Sequence, residues 1–186
     1  MRIFVAIPVS EDLRKQVGAI KSELLTVGAD VKWVEPHNYH LTVKFIGEVE
    51  EHEVSKIIDA LRRVGEESPP FTLKPKQAGF FPNERRPRVI WIGLEGELEK
   101  AFWLGERVDA YLAELGYEPE NNRKYHLTLG RVRSERNVRE LVSLLRKLSY
   151  ETDFSRLRVE EIRLMQSQLS SKGPTYSVLE KIRLNG

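Results

Sequence analysis

The 186-residue sequence contains no cysteine, and this absence excludes several kinds of site at once. There can be no disulfide, no thiolate nucleophile and no cysteine-ligated zinc, and the composition fits a reducing compartment, so we expect a cytoplasmic protein. Long apolar runs are missing as well. The run from Ile3 to Val9 is short and contains Pro8, so it predicts a strand rather than a signal peptide, and no later run could span a membrane.

A large excess of charge of either sign is also missing. Thirty basic and 28 acidic side chains leave a formal net charge of +2. Net charge alone therefore does not favour a polyanionic partner, and any affinity for nucleic acid must come from a local patch. Apolar residues make up 40% of the chain and charged residues 31%, a balance typical of a folded domain and not of a disordered chain.

The apolar pattern predicts alternating strands and helices in the first half. The segment Ile3–Ile7 has the composition of a buried strand, and Ser10 can cap a helix that Gly28 ends. A short strand is predicted at Val31–Val34 and another strand at His40–Ile46, followed by a helix that stops before Gly65. Apart from the short strand, the first half is therefore predicted as strand, helix, strand, helix.

The second half repeats this order. Ile3 and Val89 lie 86 positions apart, and so do His40 and His126, which indicates an internal duplication. We predict one bilobal domain over residues 1–186, with the first lobe in about 1–70, the second in about 88–150, and strands in 151–186 that complete the sheets. The boundary is expected near the exposed basic loop Pro82–Pro87. The second-half elements are Val89–Ile92 (strand), Leu98–Leu115 (helix), His126–Leu129 (strand) and Val138–Leu148 (helix).

Two His-Leu-Thr triplets, His40–Thr42 and His126–Thr128, occupy equivalent positions of the repeat. Side chains alternate along a strand, so each triplet presents its imidazole and hydroxyl on one face and its leucine on the other. A lone His-x-Thr would be an ordinary strand segment, but a matched pair indicates a functional site. If a pseudo-twofold axis turns the polar faces inward, the cleft between the lobes holds two imidazoles and two hydroxyls.

This set of groups suits phosphoryl chemistry. One histidine can take a proton from water while the other protonates a departing oxygen, since both titrate near neutral pH. Each threonine can donate a hydrogen bond to a non-bridging oxygen as charge develops on it. The candidate catalytic residues are His40, Thr42, His126 and Thr128.

Seven further residues are candidates for substrate binding. Strand alternation places Lys44 on the same face as His40. Arg131 should point away on a regular strand, but a bulge at Gly130 could redirect it towards the phosphate. Aromatic rings are candidate platforms for a base, although most aromatics are core residues. The aromatic candidates are Phe45 and Tyr176, together with Trp33, Phe80 and Phe81.

Five basic residues have two open interpretations. They either line an RNA path or belong to ordinary solvated surface, and the second interpretation is favoured because charge runs are usually solvated. These residues are Arg85, Arg86, Arg88, Arg123 and Lys124.

The paired motifs resemble the two-histidine phosphoesterase superfamily, and within it the RNA 2',3'-cyclic phosphodiesterases that were also described as 2'-5' RNA ligases. The resemblance covers nearly the whole chain. It is carried by Arg2–Ile7, His40–Gly47, His126–Arg131, Ser167–Leu169 and Gly173–Tyr176.

The resemblance implies an α+β fold of two pseudo-symmetric lobes, with antiparallel sheets facing a central cleft and helices outside. It implies hydrolysis of a 2',3'-cyclic phosphate at an RNA end, such as that of a tRNA fragment, to a 2'-phosphate, with 2'-5' ligation as the reverse reaction. His40 would be the proton donor and His126 the proton acceptor. It implies no metal, no other cofactor, no membrane and no obligate protein partner.

Two alternatives stay open. A metal-dependent phosphoesterase would bind zinc through His37, His40 and His126 with an open position for water. However, no acidic residue lies near either motif in the sequence, and both threonines would be left without a role. A non-catalytic RNA-binding module is the other alternative, and the near-neutral charge supports it poorly.

Overall fold

The first strand of the computed structural model, which describes all 186 residues, is followed by two similar series of helices and strands. Three short 3-10 turns, at Leu25–Val27, Pro36–Asn38 and Glu51–Glu53, join elements of the first half. In chain order the elements are β1 (Arg2–Pro8), α1 (Glu11–Leu24), β2 (Val31–Trp33), β3 (His40–Glu48), α2 (Val54–Glu67), β4 (Phe71–Phe81), β5 (Val89–Gly96), α3 (Leu98–Ala113), β6 (His126–Val132), α4 (Val138–Glu151), β7 (Leu157–Val159), β8 (Glu161–Ser170) and β9 (Gly173–Arg183).

Local signals account for the ends of the first helix. The Ser10 hydroxyl accepts a hydrogen bond from the Leu13 amide (3.4 Å) and caps α1, as predicted. The helix then tightens into a 3-10 turn that ends at Gly28, whose φ of 72° lies in the left-handed region that favours glycine. The apolar face of α1 is buried against the sheet, with Leu13 and Val17 almost fully inaccessible.

The strands form one nine-stranded antiparallel sheet in the order β7-β4-β5-β6-β3-β1-β8-β9, with β2 on β6. β3 and β6 meet at a single paired position, Leu41 with Leu127. That junction divides the sheet into two halves related by a pseudo-twofold axis. The helices pack in two pairs, α1 with α4 and α2 with α3. The predicted α+β fold with two lobes is confirmed.

The halves of the sheet do not follow the halves of the chain. β4 pairs with β5, although it comes before the second repeat, and β8 returns to pair with β1. The loop Pro82–Pro87 is therefore a hairpin turn within one half of the sheet, and the division of the sequence into lobes of about 1–70 and 88–150 stays a prediction. The chain crosses between halves after α2, at Ser68–Pro70. Strand pairing across the lobes is a tertiary property that the local turn signals could not reveal.

A single hydrophobic core of 38 buried residues runs through both halves. It includes the inward residues of the central strands, such as Ile3 and Val5 of β1 and Ile90 and Ile92 of β5. None of the helices is both long and apolar enough to cross a membrane. The sheet face opposite the helices carries the two His-Leu-Thr triplets.

Candidate active site

The junction between β3 and β6 brings the two triplets together. Leu41 and Leu127 are antiparallel partners, and both leucines are buried. Because the strands run in opposite directions, one step from this pair places His40 on the side of Thr128, and Thr42 on the side of His126. The four polar side chains therefore surround the pseudo-twofold axis, as the repeat predicted.

His40 is fixed by its backbone neighbour and by aromatic rings. Its Nδ1 lies 2.8 Å from the Asn38 carbonyl oxygen. A carbonyl only accepts, so Nδ1 carries a proton and the lone pair of the neutral ring is on Nε2. The Thr42 hydroxyl lies 3.0 Å from that Nε2. The rings of Phe4 and Tyr176 flank the imidazole, with centroids 5.0 and 5.4 Å away.

His126 is held in the same way. Its Nδ1 donates to the Lys124 carbonyl oxygen at 2.7 Å, again two residues earlier in the chain, so its Nε2 is also the nitrogen that accepts a proton. Phe81 and Trp91 flank the ring, with centroids 5.2 and 5.7 Å away. The Lys124 ammonium lies 4.9 Å from the Trp91 ring centroid. Both imidazoles are thus anchored at Nδ1 and, when neutral, carry the lone pair on Nε2.

The electrostatics of the pair favour neutral imidazoles. Burial lowers the pKa of His40, the hydrogen bond to Asn38 partly raises it, and the charge of His126 lowers it further. Burial also lowers the pKa of His126, while the Lys124 carbonyl raises it and the Lys124 ammonium lowers it. The two imidazoles are therefore close enough to oppose double protonation. Such a pair can hold one proton between an acid and a base.

Lys44 does not lie where strand alternation placed it. The β1–β3 register passes from Ala6 opposite Thr42 to Val5 opposite Lys44, so β3 contains a bulge at this point. Val43 and Lys44 are consequently both buried, and the Lys44 ammonium lies 2.9 Å from an Asp109 carboxylate oxygen. The expectation that Lys44 faces the bound anion was wrong, because an extra residue shifted the alternation.

The same bulge returns Phe45 to the cleft face. Phe45 is the β-sheet partner of Phe4, whose ring contacts His40, so the two phenylalanines share a face. The Phe45 side chain is 47% exposed, and the Arg2 guanidinium lies 5.1 Å from its ring centroid. Phe45 is therefore available for contact with a ligand, which stays a prediction.

The predicted bulge at Gly130 is confirmed. β5 and β6 pair Trp91 with Thr128 and then Ile90 with Gly130, so β6 carries an extra residue. Arg131 consequently lies on the face of Thr128 and is exposed. Burial raises the pKa of the Tyr176 phenol. The positive charges of Arg131 and Arg2 act on the same phenol and lower its pKa, so they partly oppose the effect of burial. By the repeat of 86 positions, Arg131 is the counterpart of Phe45.

A buried ionic cluster holds the two motifs at a fixed separation. Asp109 of α3 accepts hydrogen bonds from the Lys44 ammonium (2.9 Å) and from two Arg123 nitrogens (3.1 Å each). Arg123 also donates to the Val43 carbonyl (2.7 Å), and the Lys44 ammonium reaches the Glu118 carbonyl. Arg123, a candidate for an RNA path, is therefore a buried structural residue. The cluster fastens the segment before His126 to the bulge after Thr42.

The other candidate residues divide between cleft and core. Tyr176 and Phe81 lie against the two imidazoles, whereas Phe80 is buried in the core and Trp33 packs against it. His37 is exposed in the turn before β3. The structure contains no group of three or more His, Cys, Asp or Glu side chains that could hold a metal ion. The ligand set of His37, His40 and His126 is therefore not assembled.

Three residues near the site were not singled out from the sequence. Arg2, Phe4 and Trp91 lie in segments whose composition predicts buried strands, and Phe4 and Trp91 are indeed largely inaccessible. For Arg2 and Phe4, the alternation of side chains along β1 could have indicated the cleft, because these two residues lie on one face of the strand and the buried Ile3 and Val5 lie on the other. Trp91 lies directly over Gly79, where any β-carbon would fall 2.0 Å from the indole.

Comparison with known proteins identifies the family. The family model described as "LigT like phosphoesterase" matches the chain twice, over residues 7–91 and 92–176. The chain is 41% identical over 181 residues to an RNA 2',3'-cyclic phosphodiesterase of Archaeoglobus fulgidus, covering 96% of this chain and 98% of the relative. It is 36% identical over 184 residues to the protein of the same name from Methanothermobacter thermautotrophicus, covering 99% of each.

Solved structures agree with this match. The crystal structure of TT0787 of Thermus thermophilus superposes with a TM-score of 0.78 at 29% identity, covering all of this chain and 99% of that one. Escherichia coli LigT, in complex with 3'-AMP, superposes with a TM-score of 0.77 at 23% identity and shows the same fold over 98% of its chain. The two matched halves and the paired His-Leu-Thr triplets place this chain in the LigT-like phosphoesterase family.

Proposed function

We propose that the protein is a phosphodiesterase that hydrolyses the 2',3'-cyclic phosphate at an RNA end to a 2'-phosphomonoester. The observation that carries the proposal is the pair of triplets at the β3–β6 junction, in which both imidazoles are anchored at Nδ1 and flank one axis. The relatives named RNA 2',3'-cyclic phosphodiesterase support the choice of substrate. A zinc site would also anchor each imidazole at Nδ1, but it needs a third ligand, and no group of three His, Cys, Asp or Glu side chains is assembled in the structure.

The proposed reaction is one in-line displacement at phosphorus. Nε2 of His126 takes a proton from water, and the water oxygen forms a bond to phosphorus. The bond between phosphorus and the 3'-oxygen breaks, and His40 gives its Nε2 proton to that oxygen. The products are a 2'-phosphate and a 3'-hydroxyl. The same displacement, with an RNA 5'-hydroxyl in place of water as the nucleophile, would form a 2'-5' linkage and release the 3'-hydroxyl.

Three groups would stabilise the charge that develops on the phosphoryl oxygens. The hydroxyls of Thr42 and Thr128 donate hydrogen bonds to the two non-bridging oxygens. Arg131, exposed on the face of Thr128, adds a positive charge. The Thr42 hydroxyl, now 3.0 Å from His40, would turn to the phosphate when substrate binds. No metal ion is required for this scheme.

The terminal nucleoside would rest on aromatic groups at the rim. Phe45 is exposed on the cleft face, and Tyr176 lies beside His40. Both can stack on a base of any identity, because every base has a π-face. We therefore propose little preference for the terminal base. RNA fragments with cyclic ends, including those of tRNA, are the proposed substrates, and no protein partner is needed for the reaction.

Hydrolysis of a defined oligoribonucleotide with a 2',3'-cyclic phosphate end tests the proposal. We expect conversion to a single product with a 2'-phosphate, identified by 31P NMR and by its resistance to a 3'-specific phosphomonoesterase. The same oligonucleotide with a 3'-phosphate end is the control, and it should stay unchanged. A product with a 3'-phosphate would reverse the assignment of the leaving oxygen, and absence of turnover would reject the function.

A further inference from the structure

A second feature of the molecule lies outside the two triplets. A groove of about 870 Å3 runs between the loop that joins β4 to β5 and the first turns of α4. The exposed loop is shaped by Asn83, whose side-chain oxygen accepts hydrogen bonds from the amides of Arg85 and Arg86 (3.0 Å each). The groove is lined by five arginines from three separate segments. They are Arg85, Arg86 and Arg88 of the loop, Arg133 after β6 and Arg139 of α4.

These arginines lack acidic partners. None of the five forms a salt bridge within the protein, although fourteen salt bridges occur elsewhere in it. Of the two glutamates that line the groove, Glu84 is paired with Arg146 at 2.8 Å, and only Glu135 is left. Five cations without an acidic partner thus share one concave surface, although the net charge of the chain is only +2. Such a surface attracts a polyanion.

The groove begins where the cleft face ends. Arg131 lies on the cleft face, and the next residues of the chain, Val132 and Arg133, line the groove. The Val132 amide donates to the Arg88 carbonyl at 2.9 Å, so the loop and the end of β6 are joined at this edge. From Thr128 to Arg133 is a distance of roughly 16 Å along an extended strand. A strand of RNA whose end lies at the histidines can reach the groove within a few nucleotides.

We infer that this arginine groove binds the phosphodiester backbone of the RNA strand that leads into the active site. The inference rests on the proposed function. Its lining contains no aromatic side chain and no Asn or Gln, so it offers no aromatic stacking platform and no amide that pairs with adenine. The contacts are to phosphates, and binding is independent of sequence. An acidic protein partner is disfavoured, because the groove has only small apolar residues and no large anchor of the kind that dominates protein interfaces.

The test compares an oligoribonucleotide of about ten residues carrying a cyclic end with a 2',3'-cyclic mononucleotide, which is too small to reach the groove. The variant replaces Arg85, Arg133 and Arg139 by Gln, and all three side chains are exposed. The matched control replaces Lys15, Lys56 and Arg156, which are exposed elsewhere, by Gln and so removes the same charge. Thermal unfolding of all three proteins checks the fold.

We expect the groove variant to lose about tenfold or more in kcat/KM on the oligonucleotide at low salt, through KM, with less than a twofold change on the mononucleotide. The slope of log(kcat/KM) against log[salt] for the oligonucleotide should become shallower by about 2, since each phosphate contact on a single strand contributes about 0.7. The control should match the wild type on both substrates.

Three outcomes would contradict the inference. Equal losses on both substrates would show that the arginines act on the cleft itself. A groove variant that behaves like the control would show an ordinary solvated surface, and one that loses binding of polyglutamate but not of RNA would indicate an acidic protein partner. Failure of the wild type on both substrates would instead reject the proposed function, which is a distinguishable result.

Discussion

Each imidazole of the site is held through Nδ1 by a backbone carbonyl, which leaves the lone pair of the neutral ring on Nε2. The carbonyls of Asn38 and Lys124 fix the tautomer of His40 and His126 without adding a negative charge. A carboxylate in the same place would raise both pKa values and favour two imidazolium ions. The carbonyl anchors leave the pair able to share one proton, which suits a reaction that needs an acid and a base together.

The dependence of rate on pH follows from these environments. Burial lowers the pKa of both His40 and His126, so both limbs of the kcat/KM profile should fall on the acid side of the ordinary histidine value. In the complex the phosphate anion stabilises imidazolium, so the kcat profile should be shifted to higher pH. Initial rates from pH 4 to 9 on a 2',3'-cyclic mononucleotide measure both profiles. A rate that rises steadily into alkali would exclude an imidazole base.

Replacing the threonines should remove one donor each. Thr42→Val and Thr128→Val keep the strand composition and are expected to lower kcat by about a hundredfold, the lower range for loss of one oxyanion donor. KM should change less, because the charge on the oxygens develops mainly in the transition state. Thr152→Val, far from the cleft on the α4 side, is the control. A decrease in kcat of less than twofold for both cleft variants would show that the threonines contribute only to the strands and not to catalysis.

For single residues, the alternation of side chains along a strand correctly predicted that His40 and Thr42 lie on the same face of β3, because alternation depends only on the local backbone. It misplaced Lys44 because the bulge in β3 depends on hydrogen bonds to β1, which no local pattern records. The glycine at position 130 marked the bulge in β6. In the 86-residue repeat, Gly130 corresponds to Lys44. Aligning the two halves therefore indicates a bulge at Lys44, which strand alternation alone does not.

Among the elements, α3 has a role that neither repeat motif shows. It carries Asp109, which faces Lys44 of β3 and Arg123 of the segment before β6. Burial raises the pKa of the Asp109 carboxyl, but the hydrogen bonds from Arg123 and Lys44 outweigh it and hold the pKa below its ordinary value. The carboxylate therefore stays ionised, and it keeps two buried cations paired.

Removing this carboxylate should destabilise the whole fold. Asp109→Ala leaves the charges of Lys44 and Arg123 buried without a partner, which costs about 3–5 kcal/mol. Asp59→Ala, which removes an exposed partner of Arg62, is the matched control and should cost less than about 1 kcal/mol. Urea unfolding followed by circular dichroism measures both. Similar small effects would mean that solvent reaches the cluster and compensates the charges.

The elements themselves were largely predictable, and their pairing was not. Apolar periodicity and the cap at Ser10 are local, so helices and strands appear close to their predicted positions. The pairing of β4 with β5, and of β8 with β1, depends on which edges remain open once the lobes meet. For that reason the proline and charge content of the loop Pro82–Pro87 does not reveal that it is the turn of the β4–β5 hairpin.

For the molecule as a whole, duplication places two identical triplets around one axis. A metal ion in a phosphodiesterase would activate water and neutralise phosphoryl oxygens, and here His126, the two threonines and Arg131 are proposed to do so. We expect full activity after dialysis against EDTA, with elemental analysis of the same sample. Activity lost with the chelator and restored by stoichiometric zinc would contradict this and show that a metal ion takes part in the reaction.

The most direct test of the paired mechanism is the turnover of His40→Asn, His126→Asn and the double variant on an oligonucleotide with a 2',3'-cyclic end. Each single variant should lose on the order of a hundredfold to ten-thousandfold in kcat, with unchanged thermal unfolding. The double variant should fall little further, because the two imidazoles act in one step and their losses do not add. A single variant with near-normal turnover would contradict the account.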